Sequence, residues 1–431
     1  MAAVTFRPAV QSVPPPVRDG GRLVVQTWLF SRLLLVGVVL WLGASTGRSA
    51  AGMLANWDVQ HYFAIATHGY ADATDIAFFP GWPLVLRVFA TLGVPMLWAG
   101  VGIAVICSAL AAAALHRLGG PIAAVAWLLA PTTVFTLVPY TEAPFCAAAF
   151  WAWERAARGR WGAAAGLAAV ACTLRVSGLF LVGALVILAL THGGRGRRGG
   201  VRTTHGDSPP APIPGWSVPP IGWPIRPAGA PVPTPGWSAA VTPAPPVLTW
   251  RQRVRALAWL LIPALTLFAY AAYLYQLTGD WNAWYRAQST GWPRGFTWPW
   301  VSLQHTLEAA ASNAYPAFPE WSWVFRGEII SMTIGLAVTI ICLVRRRWAE
   351  ASWVGVQVLA FSCSYWFLSV NRAVLLWFPL FILIGELFSG RRNASRGRRG
   401  LRILLTFFGV LAAAGVLCFW GWLFFTGRWS S

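Results

Sequence analysis

The sequence predicts an all-α polytopic membrane protein with about 10–12 transmembrane helices and juxtamembrane helices at the outer face. Three observations lead there. Hydrophobic residues make up 57% of the 431-residue chain and charged residues only 11%, against roughly 25% charged in a soluble domain. Apolar runs close to the length of a membrane span recur along the chain. The basic residues, all arginine, stand in short clusters between those runs, the pattern of topology signals. The net charge of +20 is therefore read as orientation, and nucleic acid is excluded as a partner.

Residues 1–23 are read as a cytoplasmic tail. The N-terminal transmembrane module is 24–192, with an outer loop at 45–93. Its apolar runs are 24–44, 94–115, 121–138, 143–157 and 161–191. The first is a retained span rather than a cleaved signal, because it is long and many others follow. The run 161–191 is too long for one span and is interrupted by Arg175 and Gly178. It is expected to break into two short helices, which at membrane depth tend to line cavities. Residues 193–250 are rich in Gly, Pro and Arg, repeat the unit PxPGWS, and read as a disordered cytoplasmic loop. The C-terminal module, 251–431, has runs at 254–277, 328–344, 350–369, 373–389 and 401–425 and a long aromatic outer loop at 278–327. Placing the arginine clusters in the cytoplasm puts Asp58, Asp72, Asp75, Glu142, Asp280, Glu308 and Glu320 on the opposite side. The six cysteines form no CxxC pair and read as small packed hydrophobes.

Chemistry concentrates on that opposite face. In NWDVQHYFAIATHGY, residues 56–70, a short helix ends at Gly69, a natural left-handed stop. Asp58, His61 and Tyr62 fall at i, i+3 and i+4 on it, hence on one face. The bland alternative is that Asp58 only caps the helix. Next, in IAFFPGWPLVLRV, Pro80 and Pro83 flank Gly81-Trp82 and fit a helix start. In VPYTEAPF, Glu142 opens a helix, either complementing its dipole or meeting Asp58. Arg175 and Arg372 lie in or beside apolar runs, where a charge usually has a partner or a function. Arg294 lies in the outer loop and suits a phosphate. Outer-loop tryptophan and tyrosine are anchors at the membrane interface or platforms for sugars.

No Walker loop, dinucleotide fingerprint, HExxH or nucleophile elbow is present in the sequence. No soluble stretch is long enough for a nucleotide-sugar domain. Chemistry at the outer face therefore points to a lipid-linked donor. A transporter or flippase of lipid-linked sugars is the alternative. It would also need outer aromatics and intramembrane arginines, and would more often show internal repeats. A third reading makes the Pro-rich loop a scaffold for a cytoplasmic partner.

WDVQHYFAIATHGY, AFFPGWPLVLR, PYTEAPF, TLRVSGL and NRAVLLWFPLF, in this order, resemble the PIG-V mannosyltransferases, a family of the GT-C superfamily. The likeness runs from about residue 25 to 390. It implies a GT-C-like bundle, a polyprenyl-phosphate-mannose donor, a glycan or lipid acceptor and a catalytic acid in the first outer loop, here Asp58. Two blocks depart from the family pattern. Arg-Pro-Thr-Gly reads Arg175-Val176-Ser177-Gly178, and Arg-Tyr reads Arg372-Ala373. The expected site comprises Asp58, His61 and Glu142 as catalytic groups. Arg294, Arg372 and Arg175 would bind the donor phosphate, and Trp57, Tyr62 and Trp82 the sugars. No cofactor is required, and a divalent metal is allowed. Absence of a GPI acceptor in a GC-rich bacterium suggests another glycan or lipid. The expected location is the bacterial plasma membrane, with the active face periplasmic.

Overall fold

Apolar runs of this kind close their backbone hydrogen bonds within themselves, as helices. The computed structural model describes residues 20–191, 248–292, 294–389 and 396–430. The expected tail and the Pro-rich loop lie almost wholly outside the described residues. Among those described, the one β-type contact is an isolated bridge between Phe296 and Ser364.

Helix α1 (Gly21–Thr46) leads to three helices at one end of the bundle: α2 (Ala50–Leu54), α3 (Asp58–His68) and α4 (Gly81–Thr91). Then come α5 (Met96–Leu128), α6 (Glu142–Ala157), α7 (Trp161–Leu174) and α8 (Ser177–Thr191). The second module holds α9 (Trp250–Thr278), α10 (Ala283–Gly291), α11 (Pro299–Ala309), α12 (Pro319–Val344) and α13 (Trp348–Ser362). It closes with α14 (Val370–Ala373), α15 (Phe378–Ser389) and α16 (Arg396–Phe425).

Five of these helices are long and apolar enough to cross a membrane, or up to six if the bent segment Val370–Phe388 counts as one span. That is fewer than the ten to twelve expected from the apolar runs. The difference lies in helix length. The runs at 143–157, 161–191 and 350–369 fold as α6, α7 with α8, and α13, which have 16, 14, 15 and 15 residues. At 1.5 Å per residue they measure about 21–24 Å, against roughly 30 Å of hydrocarbon. Helix α6 is sheathed by protein, with nearly every side chain from Glu142 to Ala156 buried. Its alanines at 147, 148, 149, 152 and 156 let neighbouring helices approach closely.

Helix α5 is two helices joined at Gly120, whose φ of 82° and ψ of −179° turn the chain just before Pro121. After the turn the chain runs antiparallel to the segment 371–385. Gly119 packs its carbonyl against Gly385, Trp127 donates to Leu375 O at 2.9 Å, and Thr132 donates to Asn371 O at 2.9 Å. The expected run 121–138 is thus a short helix, then a 3₁₀ turn at Thr133–Thr136.

The two ends of the bundle differ. At one, arginines surround acids: Arg117 and Arg158 each meet the buried Glu154 at 2.8 Å. Arg345 and Arg347 meet Glu386 there, at 2.6 and 2.8 Å. The other end carries α2, α3, α4, α10 and α11 and opens into a cavity.

The long run 161–191 breaks at Arg175–Val176, as its sequence predicts. Helix α8 then packs directly on α7, and a Cβ at Gly178 would lie 2.6 Å from Cys172 Cα. Gly178→Ala is expected to lower stability by about 1–3 kcal/mol. Gly183→Ala, where a Cβ meets nothing within 4 Å, is the control. Thermal unfolding of the two variants in detergent should separate them by several degrees, and equal midpoints would refute the close crossing.

Candidate active site

Helix α3 begins where Trp57 takes a left-handed backbone, φ 58°. A bulky residue rarely adopts that conformation without constraint. The turn leaves the Trp57 indole 43% exposed on the cavity wall and sets Asp58 as the first residue of α3. Asp58 does not cap the helix. Its backbone N–H donates to Tyr140 Oη at 3.1 Å, and its Oδ2 accepts from Arg372 Nη1 at 2.8 Å.

Arg372 stands on the single-turn helix α14, with its guanidinium over the rings of Phe135 and Tyr140 at 5.2 and 5.4 Å. It also makes an ion-pair contact, Nε to Glu142 Oε1, at 3.4 Å. Glu142 in turn accepts from Arg175 Nη1 at 2.7 Å, and the same nitrogen donates to Thr141 Oγ1 at 2.9 Å. The order Arg175–Glu142–Arg372–Asp58 is an alternating row of charges. Pairing of this kind is what allows ions to sit inside a bundle. The two carboxylates differ in access: the Asp58 side chain keeps 17% exposure and Glu142 keeps none. Glu142 Oε2 is buried without a hydrogen-bond partner.

Arg294 approaches from the loop between α10 and α11. Its Nη2 donates to Ser369 Oγ at 3.3 Å, and its Nε is buried without a hydrogen-bond partner. Burial, helped by Arg372, pushes its guanidinium down to about 10, so it remains charged at neutral pH.

These groups face a cavity of about 680 Å³. Its wall includes Asp58, Arg175, Arg294 and Arg372, but neither Glu142 nor Glu328. Three cations and one anion therefore look into the space, with two compensating carboxylates behind. Around them stand aromatic side chains, among them Trp57, Phe78, Trp284, Trp292, Trp321 and Trp429. Among the described residues no three of His, Cys, Asp and Glu gather as a metal-ligand set.

The structure brings together Asp58, Glu142, Arg175, Arg294 and Arg372, and sets Trp57 and Tyr62 on the same wall. Three of the expected residues are placed differently from the sequence reading. His61 does not share a task with Asp58. It turns to Asp75, Nδ1 to Oδ1 at 2.8 Å, and stacks on Phe78 at 4.7 Å, behind the cavity wall. Tyr62 is buried and meets Thr141 Oγ1 at 3.4 Å, so only part of its ring reaches the space. Trp82 is 1% exposed and donates to Pro139 O at 2.9 Å. It anchors α4 against the loop that carries Glu142 and does not face the cavity. Sequence reasoning missed Asp75, Tyr140, Thr141 and Ser369. Each lies beside or within a motif already singled out. It also passed over Glu328, a lone acid inside an apolar run.

The long apolar helices and the charged, aromatic-walled cavity at one end of the bundle define a polytopic membrane protein with a polar cavity. Residues 43–192 match the family model described as Mannosyltransferase (PIG-V). GPI alpha-1,6-mannosyltransferase 2 of Rattus norvegicus is 36% identical over 154 residues, covering 31% of this chain and 31% of that protein. The proteins of the same name from Mus musculus and Homo sapiens are each 35% identical over the same length. The matched stretch spans about a third of the length of these curated relatives, 31%. No solved structure matches the chain.

Two substitutions separate anchoring from charge pairing. Trp82→Phe removes the bond to Pro139 and part of a buried ring and is expected to cost about 1–3 kcal/mol, with ligand binding in the cavity unchanged. Arg175→Met leaves the buried Glu142 with Arg372 alone and is expected to cost about 3–5 kcal/mol. Thermal unfolding of the solubilised variants measures both. A larger loss for Trp82→Phe would contradict the charge row as the stronger constraint.

Proposed function

We propose that the chain is a membrane glycosyltransferase of the GT-C type. It transfers mannose from a polyprenyl-phosphate carrier to a glycan or lipid acceptor at the extracytoplasmic face of a bacterial membrane. The observation that carries this reading is the cavity wall: one accessible carboxylate opposite a guanidinium with a free buried N–H. The match of residues 43–192 to mannosyltransferases supports the sugar. The name of the curated relatives supports a glycan-bearing acceptor.

In the proposed step the acceptor hydroxyl attacks the anomeric carbon as the bond from that carbon to the phosphate oxygen breaks. The hydroxyl proton passes to Asp58, the carboxylate with access to the cavity, a general-base role. Charge develops on the departing lipid phosphate, and Arg294 is placed to accept it. Its Nε lacks a partner, so a phosphate oxygen would gain a charge-assisted bond without displacing another. Arg372 is held by two carboxylates. Its part is to fix the orientation of Asp58 and raise the positive potential of the wall. Glu142, wholly buried, acts through Arg372 and Arg175. Trp57 and Trp292 offer faces for sugar rings. The arginine clusters at the far end of the bundle agree with a cytoplasmic placement there, which leaves the cavity outside.

The test uses the purified protein in liposomes with labelled polyprenyl-phosphate mannose and a membrane extract of acceptors. Asp58→Asn is expected to lower transfer roughly 10²–10⁴-fold. Arg294→Ala is expected to lower it about 10²–10³-fold, with Arg294→Lys partly active. Equal transfer by wild type and Asp58→Asn would remove Asp58 from the chemistry. Movement of the lipid between leaflets without any transfer would replace the reading with a lipid-linked sugar transporter.

A further inference from the structure

Ser369 and Arg372 lie three residues apart on one turn, and each holds part of the charged wall. Ser369 Oγ accepts from Arg294, and Arg372 reaches Asp58 and Glu142. The turn that carries them is not relaxed by itself. Ser369 has φ 66° and ψ 19°, a left-handed conformation that a residue with a Cβ adopts only under constraint.

The constraint comes from one face of α12. The side chain of Glu328 is fully buried and accepts two backbone N–H groups, Ser369 N at 3.0 Å and Asn371 N at 2.9 Å. Val324, Glu328 and Ser331 fall at i, i+4 and i+7, one stripe of the helix. Val324 O accepts from Asn371 Nδ2 at 3.1 Å, and Ser331 Oγ donates to Asn371 Oδ1 at 2.8 Å. Gly327 on the same stripe leaves room: a Cβ there would stand 3.1 Å from Asn371 Oδ1. From the far side Thr132 ties down the Asn371 carbonyl.

We infer that Glu328 is a positioning residue for the proposed transfer. Its two oxygens hold the Ser369–Asn371 turn in the shape that seats Arg294 on one side and Arg372 on the other. This rests on the reading of Asp58 and Arg294 given above. Apolar packing alone could fill the space, but it could not receive two N–H groups two residues apart. A buried carboxylate does so with charge-assisted bonds, and its negative charge also balances the cations of the wall. Displacing either arginine by an ångström misplaces the base or the phosphate partner.

The experiment compares wild type with Glu328→Gln in the same liposomes. Glutamine keeps the size and one acceptor but turns an N–H donor toward a backbone N–H. The expected result is a roughly 10–100-fold fall in kcat, with the acceptor KM nearly unchanged and the fold retained at a lower unfolding temperature. Hydrogen exchange of the full chain should rise at Ser369 and Asn371, while peptides from the rest of α12 and from α13 keep wild-type protection. Unchanged kcat and exchange would overturn the inference. So would a rise of equal size throughout α12 and α13, which is the mark of a general packing role. Ser331→Ala cuts the same cradle more gently and decides the matter if Glu328→Gln does not fold. It should raise exchange at the same two amides and lower kcat by about threefold, and no change in it would overturn the inference. If wild type transfers nothing, the functional reading fails, yet the exchange comparison still decides whether Glu328 sets the turn.

Discussion

Much of the cavity end depends on the burial of one carboxylate. Glu142 opens α6, the helix most completely enclosed by protein, and no water-facing surface is left to it. An isolated ion there would be untenable. Two cations must therefore reach it, Arg175 from the break between α7 and α8 and Arg372 from α14. That demand explains features that would otherwise be unrelated. The long run 161–191 breaks because Arg175 leaves the helix in an extended conformation to reach inward. The segment 370–388 bends by 66° at Trp377, just before Pro379, and Arg372 meets α6 ahead of that bend. Asp58 is then held in turn, by the free side of Arg372.

Short helices go with this arrangement. A helix in contact with lipid must match the thickness of the hydrocarbon, and α1, α9, α12 and α16 are long enough to do so. Helix α6 meets other helices on all sides, so 16 residues suffice. Its shortness leaves room beyond its first residue for α3, the Tyr140 ring and the cavity. Aromatic side chains complete the wall because they combine a flat apolar face with a polar edge. Trp127 and Trp353 show the same economy inside the bundle, each burying its ring and donating its indole N–H to a carbonyl of the 370–388 segment.

The helical class, the break at Arg175 and the start and stop of α3 were legible because each rests on local rules. Composition sets the first, a charge and a glycine in an apolar run the second, Gly69 the third. The four charged residues of the wall, and Glu142 behind it, were also visible singly, since a charge near an apolar run has few benign explanations. Their pairing was not. Spacing along α3 set Asp58 and His61 on one face, but tertiary contacts drew them apart, one to Arg372 and the other to Asp75. Trp82 was misjudged because an indole between two prolines looks the same in sequence whether it faces a ligand or a backbone carbonyl. Of the ten to twelve spans that hydropathy marked, five or six are helices long enough to cross by themselves among the described residues, because hydropathy measures what is apolar, and a short buried helix is as apolar as one that meets lipid. Glu328 carried the same signal as Arg175, an ion within an apolar run, and could have been flagged by the same rule.

The charged wall is drawn from both modules of the chain. Asp58, Glu142 and Arg175 fall inside residues 43–192, the stretch shared with the mannosyltransferase family. Arg294 and Arg372 fall outside it, as do Trp292, Trp321 and Trp429. On the proposed reading, a change of carrier or acceptor would alter the second module and leave Asp58 in place. The likeness in the first module then speaks to the proposed kind of reaction, while the choice of partners has to be learned from the second.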